Sequence, residues 1–132
     1  MPRRRTIDRL FSHDSVEGIL AALDKEAGSA SDDSGWAGGI AQLIRGKSPV
    51  SLKLALAQMR AGKSRSFEEC MAIEFRIVSR ILYEHDLYEG VRAVIVDKDN
   101  APKWRPASLA EVTERDIARH FAPLTDSEPI LA

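Results

Sequence analysis

The spacing of the apolar residues constrains this chain more than anything else in it. Val16, Ile19, Leu20 and Leu23 form one stripe, and Leu52, Leu56 and Met59 with Ala55 form another. The longest runs through Phe67, Cys70, Met71, Phe75, Val78, Ile81 and Leu82. Residues three and four apart share one face of a helix, whereas a half-buried strand needs strict alternation. No stretch here alternates convincingly, and no internal repeat stands out. The expected class is therefore all-α, assembled from short helices.

Capping residues, glycines and prolines set the boundaries. Ile7, Leu10 and Phe11 make a small apolar cluster that ends near Ser12 and His13. Asp14 with Glu17 reads as a capping box for the next helix, which Gly28 should stop. Residues 28–39, GSASDDSGWAGG, read as a flexible loop feeding a helix from about Trp36 to Arg45, with Ile40, Leu43 and Ile44 inward. Gly38 and Gly39 weaken that helix by ~1 kcal/mol each relative to alanine. Ser48 can cap and Pro49 suits the first helical position of a helix ending at Gly62. Ser66 and Glu69 box the start of a helix reaching about Tyr83. Ser108 to Glu111 and Thr113 to Asp116 announce a brief turn and a last helix through Phe121, ended by Pro123. Residues 1–27 thus carry N-terminal helices, 28–39 a loop, 40–124 a helical region, and 125–132 a tail with little reason to be ordered.

Composition narrows the class of function. The 132 residues make one domain at most, or a fragment of one; 44% are hydrophobic and 30% charged, enough for a modest core. A formal net charge of −1 gives no global field toward nucleic acid or an anionic membrane. The basic run Arg3-Arg4-Arg5 lacks the interleaved aromatics of a nucleic-acid surface. It also lacks the apolar segment of a secretory signal, and its abrupt position suits a chain cut from a longer one. A single cysteine, Cys70, excludes an internal disulfide and fits a reducing compartment. No apolar run approaches the ~20 residues that span a bilayer.

Several constellations have plain structural explanations. Gly46-Lys47-Ser48 and Gly62-Lys63-Ser64 both lack the earlier glycine of a phosphate-binding loop, Ala41 and Ala57 standing in its place. His13, His85 and His120 form no ligand pair at helical spacing, and Cys70 has no cysteine partner, so no metal site is supported. His85 beside Asp86 reads as a helix start rather than a catalytic dyad, since adjacent side chains rarely aim at each other. Glu74 borders the apolar stripe of the longest helix and needs a cation, with Arg76, Arg80 or Arg92 in reach. We take Glu74 with Arg92 as a structural charge pair.

The segment His85 to Pro106 mixes aromatic, β-branched and charged residues most densely. Leu87, Tyr88, Val91, Val94 and Ile95 share a helical face, and Asp86 with Glu89 has the capping-box pattern. Pro102 and Pro106 then forbid helix around Lys103-Trp104-Arg105, leaving an extended basic-aromatic arm. Lys98, Lys103, Trp104 and Arg105 suit a phosphorylated adenine nucleotide by charge and stacking. The alternative is a solvated arm whose tryptophan simply anchors it.

Asp86-Leu87-Tyr88-Glu89-Gly90-Val91-Arg92-Ala93, Asp97-Lys98-Asp99 and Pro102-Lys103-Trp104-Arg105-Pro106 together resemble the C-terminal part of 3-hydroxyisobutyryl-CoA hydrolases of the enoyl-CoA hydratase/isomerase (crotonase) superfamily. Ser48-Pro49-Val50-Ser51-Leu52-Lys53 and Glu74-Phe75-Arg76 are similar to two further motifs of that group, in the same order. The resemblance runs from about Ile7 to Leu124. It implies a helical region that covers a catalytic core of ββα units and mediates oligomer contacts. Acyl-CoA is the implied substrate, in valine breakdown, and no cofactor is implied. The core's own motifs have no match here, so no catalytic residue is carried over. The partners implied are the missing N-terminal core and further copies of the chain, with neither nucleic acid nor membrane. The implied location is the bacterial cytoplasm, or the mitochondrial matrix in a eukaryote. Two other readings compete: an independent helical module that binds a partner protein, and the C-terminal part of an enoyl-CoA hydratase/isomerase.

Overall fold

The structure is a computed structural model that describes residues 3–125 and 128. Every regular element among them is helical: α1 (Arg4–Leu10), α2 (Val16–Ala27), α3 (Ser34–Arg45), α4 (Pro49–Gly62), α5 (Phe67–Ile81), α6 (His85–Val91) and α7 (Glu114–Phe121). A π-helical turn, Arg92–Val96, continues α6, and a short 3-10 turn covers Leu109–Glu111. The all-α expectation holds. The chain divides into two compact units between Lys47 and Ser48.

In the first unit α2 and α3 pack against each other, with α1 against α2. Val16, Ile19, Leu20 and Leu23 are buried along α2, as their spacing requires. Its cap is Ser15 rather than Asp14: the Ser15 hydroxyl accepts from the Gly18 amide at 3.0 Å. On α3 the buried face is made of small residues, Ala37 and Ala41, while Leu43, expected inward, is exposed. The helix starts at Ser34, ahead of Trp36, and includes both glycines. A Cβ on Gly38 would lie 3.5 Å from that of Ala27, so the small face lets the two helices approach closely. Asp33 accepts from Thr6 and Arg3, and the Arg3 guanidinium lies 5.8 Å from the Trp36 ring centre.

The second unit is centred on Leu54 of α4 and Ile73 and Ile77 of α5, with Ile117 and Phe121 of α7 against them. Ile81, expected inward, packs on this core, but most of the stripe that spacing selected lies on neighbouring faces. Met59 is exposed on α4, as are Phe67, Met71 and Val78 on α5 and Leu82 just after it. Both helices are apolar on more than one face, and α7 covers only one of them. The caps were the more dependable guide. Ser48 accepts from Ser51 with Pro49 opening α4, and full capping boxes form at Ser66 with Glu69, Ser108 with Glu111, and Thr113 with Asp116.

His120 is completely buried. Its Nδ1 lies 2.8 Å from the Asp116 carbonyl oxygen, and its Nε2 lies 2.9 Å from Glu84, which also receives Arg119. Arg76 pairs with Glu128 and donates to the Phe121 carbonyl. Glu128 of the tail thus pairs with a side chain of α5. Residues 126, 127 and 129–132 of that tail lie outside the described residues.

Candidate functional site

The arm and α6 are joined by carboxylates on α6 and backbone amides on the arm. Glu89 accepts from the Lys103 amide at 2.7 Å, and Asp86 accepts from the Arg105 amide at 2.9 Å. Amides two residues apart point the same way in an extended chain, so one side of the arm is bonded to the helix. Asp86 also accepts from the Ser48 hydroxyl at 2.5 Å, which ties the start of α4 to the same point. These duties replace the capping box expected of Asp86 and Glu89: Glu84 occupies the N-cap position and makes no side-chain cap bond. His85 does meet its neighbour, with Nδ1 3.0 Å from Asp86. Asp86 already binds two elements there, so the contact extends a structural junction.

Arg92 organises the other end. Its Nε and one terminal nitrogen grip Glu89, the other terminal nitrogen donates to Asp97 and Asp99 at 2.7 and 2.8 Å, and a last bond reaches the Ala101 carbonyl. A guanidinium has five N–H donors, and all five are used. The charge pair expected between Glu74 and Arg92 is therefore not formed; Glu74 instead accepts from Gln58 of α4. The Arg92 guanidinium, with the Lys103 amide, holds the Glu89 carboxyl down at about 2, well below its ordinary 4.5. Asp99 is lowered by the same arginine and by the Ala101 amide. Arg92 itself is raised by its carboxylates.

This gathering needs the π-helical turn. The Asp97 amide bonds the Arg92 carbonyl five residues back at 2.8 Å, and the Asn100 amide reaches Ala93 at 3.0 Å. Lys98 and Asn100 take left-handed backbone angles, φ 57° and 52°. Asparagine tolerates that region; lysine does so at roughly 1 kcal/mol. Lys98, Lys103 and Arg105 are exposed, while Trp104 is half-buried, with its ring edge 3.3 Å from where a Cβ on Gly90 would stand. The four residues singled out for a nucleotide thus lie on one braced loop and arm, with the tryptophan turned to α6. The apolar face that runs from α6 into the π-helical turn is exposed: Tyr88, Val94 and Ile95 are 62, 59 and 63% accessible. Among the described residues no cluster of three or more metal-ligating side chains occurs, and no helix is long and apolar enough to cross a membrane.

The all-helical fold and the braced arm do not by themselves name a family, and comparison with known proteins supplies it. The chain belongs to the enoyl-CoA hydratase/isomerase family, whose profile matches residues 1–121. Over 122 residues it is 40% identical to the human mitochondrial 3-hydroxyisobutyryl-CoA hydrolase, covering 92% of this chain and 30% of the hydrolase. A 3-hydroxyisobutyryl-CoA hydrolase-like protein of Arabidopsis thaliana is 35% identical over 129 residues. A crystal structure of a carnitinyl-CoA dehydratase from Mycobacterium thermoresistibile superposes with a TM-score of 0.80 at 41% identity, over 96% of this chain and 34% of that one. An enoyl-CoA hydratase from Rhodobacter sphaeroides gives a TM-score of 0.77 at 31% identity, over 93% of this chain. The chain spans about 30% of the length of the curated relatives it matches.

Proposed function

We propose that this chain is the C-terminal helical portion of an acyl-CoA thioester hydrolase of the 3-hydroxyisobutyryl-CoA type. Residues 40–124 cover the active site of a catalytic core and take part in contacts between copies. The exposed stripe Tyr88, Val91, Val94 and Ile95 faces that core, since an apolar surface of this extent is normally covered. The arm contacts coenzyme A: Lys98, Lys103 and Arg105 offer cations to its phosphates, and Trp104 fixes the arm on α6.

The observation that carries this reading is the division of labour within the arm. Its backbone amides go to Glu89 and Asp86, so the arm is held without its cationic side chains, which are exposed. The hydrolase relatives supply the reaction and the arm supplies a means of holding its substrate. The acid, base and oxyanion donors that thioester hydrolysis requires are assigned to the core.

A grafted enzyme tests it. The segment of the human hydrolase that this chain matches is replaced by the chain, and Lys98→Met with Lys103→Met is introduced. Two screened point-charge contacts should contribute about 0.5–2 kcal/mol together. The Michaelis constant should rise several-fold at low salt, with the turnover number nearly unchanged, because the adenosine end is remote from the thioester. An unchanged Michaelis constant at low salt would reduce the arm to a brace.

A further inference from the structure

Between α4 and α5 runs an open groove of about 610 Å³ that the arm does not reach, lined by Met59, Cys70 and Ile73 and by one base and one acid, Lys63 and Glu74. The floor is apolar and Met59 on its wall is 78% accessible; Phe67, which does not line the groove, is 74% accessible on the same helix as Cys70. Phe67, Cys70, Met71 and Glu74 follow helical spacing, so the aromatic knob stands one turn before Cys70 on the stripe that walls the cavity. Knob and hole are adjacent on one face.

We infer that this face is an interface between two copies of the chain, paired isologously with their α5 helices antiparallel and centred near Cys70. The charges select that arrangement. Lys63 directly follows α4 and precedes α5, whereas Glu74 lies seven residues beyond Phe67, ~10 Å along the helix axis. Antiparallel pairing brings the Lys63 end of one copy over the Glu74 end of the other, twice per dimer. Parallel pairing would set lysine on lysine and glutamate on glutamate. In the antiparallel arrangement Phe67 of each copy enters the groove of the other above Ile73, and the Gln58 bond to Glu74 keeps the acid on the groove wall. A two-fold contact demands this self-complementarity of shape and charge.

The inference rests on the proposal that the helical region takes part in contacts between copies, and names the surface. Sedimentation and light scattering of the complete chain over a wide concentration range test both. The wild type should dimerise. Lys63→Glu and Glu74→Lys should each weaken the dimer about tenfold or more, because each places like charges together twice. The double reversal should recover wild-type affinity to within about threefold. Phe67→Ser, at an exposed position, should abolish the dimer while circular dichroism stays unchanged, which covers the case of a charge variant that does not fold. Cys70 is the single cysteine, so a short bis-maleimide should link wild-type dimers and not the Phe67→Ser protein. Self-association insensitive to both reversals and to Phe67→Ser overturns this surface but leaves contact between copies standing. A monomer at every concentration overturns both, and failure of the double reversal to recover overturns the antiparallel pairing.

Discussion

At the scale of single residues, the stability of the second unit depends on carboxylates whose protonation is held back by specific donors. Glu89 and Glu128 are both held at about 2 against an ordinary 4.5, Glu89 chiefly by Arg92 and Glu128 chiefly by Arg76. For groups depressed on folding, the unfolded chain binds more protons as pH falls. Their contribution is therefore complete above about pH 4.5 and is lost progressively as pH drops toward 2. Acid titration followed by urea unfolding should show stability falling through that window. In Glu89→Gln the fall should be shallower, and an identical slope would contradict the assignment. His120 makes a different demand. Both ring nitrogens face acceptors in a fully buried site, so His120→Ala leaves a cavity and strips Glu84 of a donor. Its loss should be about 2–4 kcal/mol in chemical denaturation. A loss under about 0.5 kcal/mol would mean that water readily replaces the imidazole.

Residues also show where sequence reading stops. The caps at Ser48, Ser66, Ser108 and Thr113 were legible because a cap involves partners three residues away, within one window of the chain; at α2 the same window offered Asp14, and Ser15 took the role. The Arg92 cluster was not. Its carboxylates at 89, 97 and 99 are close in sequence, yet they converge only because a π-helical turn and a left-handed lysine redirect the backbone. Neither feature has a local signature, and the plain count of cations around Glu74 pointed to the wrong acid.

At the scale of elements, packing shifted the buried face of two helices, although Ile81 packs on the core as its spacing requires. Leu52, Leu56 and Met59 on α4 are as apolar as the Leu54 face, and Met71 and Val78 on α5 are as apolar as Ile73 and Ile77. Only the position of α7 decides which face is inward, and α7 is remote in sequence. That excess of apolar surface is itself informative: it belongs to helices expecting company on more than one side. The joint between α6 and the arm gives a sharper prediction. A Cβ on Gly90 would stand 3.3 Å from the Trp104 ring edge, closer than most real contacts. Gly90→Ala in an open helix should stabilise by ~1 kcal/mol through propensity. Here that gain should be cancelled or reversed, with a shift in Trp104 fluorescence measured in a Trp36→Phe background. A rise in Tm with unchanged emission would show the indole free to give way.

At the scale of the whole molecule, the family was legible from motifs along the chain, and the all-α architecture followed from spacing and caps. Spacing marks Leu87 to Ile95 as one helical face, but whether that face is covered is not written in the spacing. We propose that this helical portion completes a thioester hydrolase by covering its core and holding the coenzyme A end. The most direct measurement is thiol release from 3-hydroxyisobutyryl-CoA by three proteins: the chain alone, the human hydrolase lacking its matching segment, and the graft carrying this chain in that place. The first two should show no turnover, and the graft should restore it. Hydrolysis by the chain alone that disappears with a substitution within it would contradict the account, as would a folded graft no more active than the truncated hydrolase.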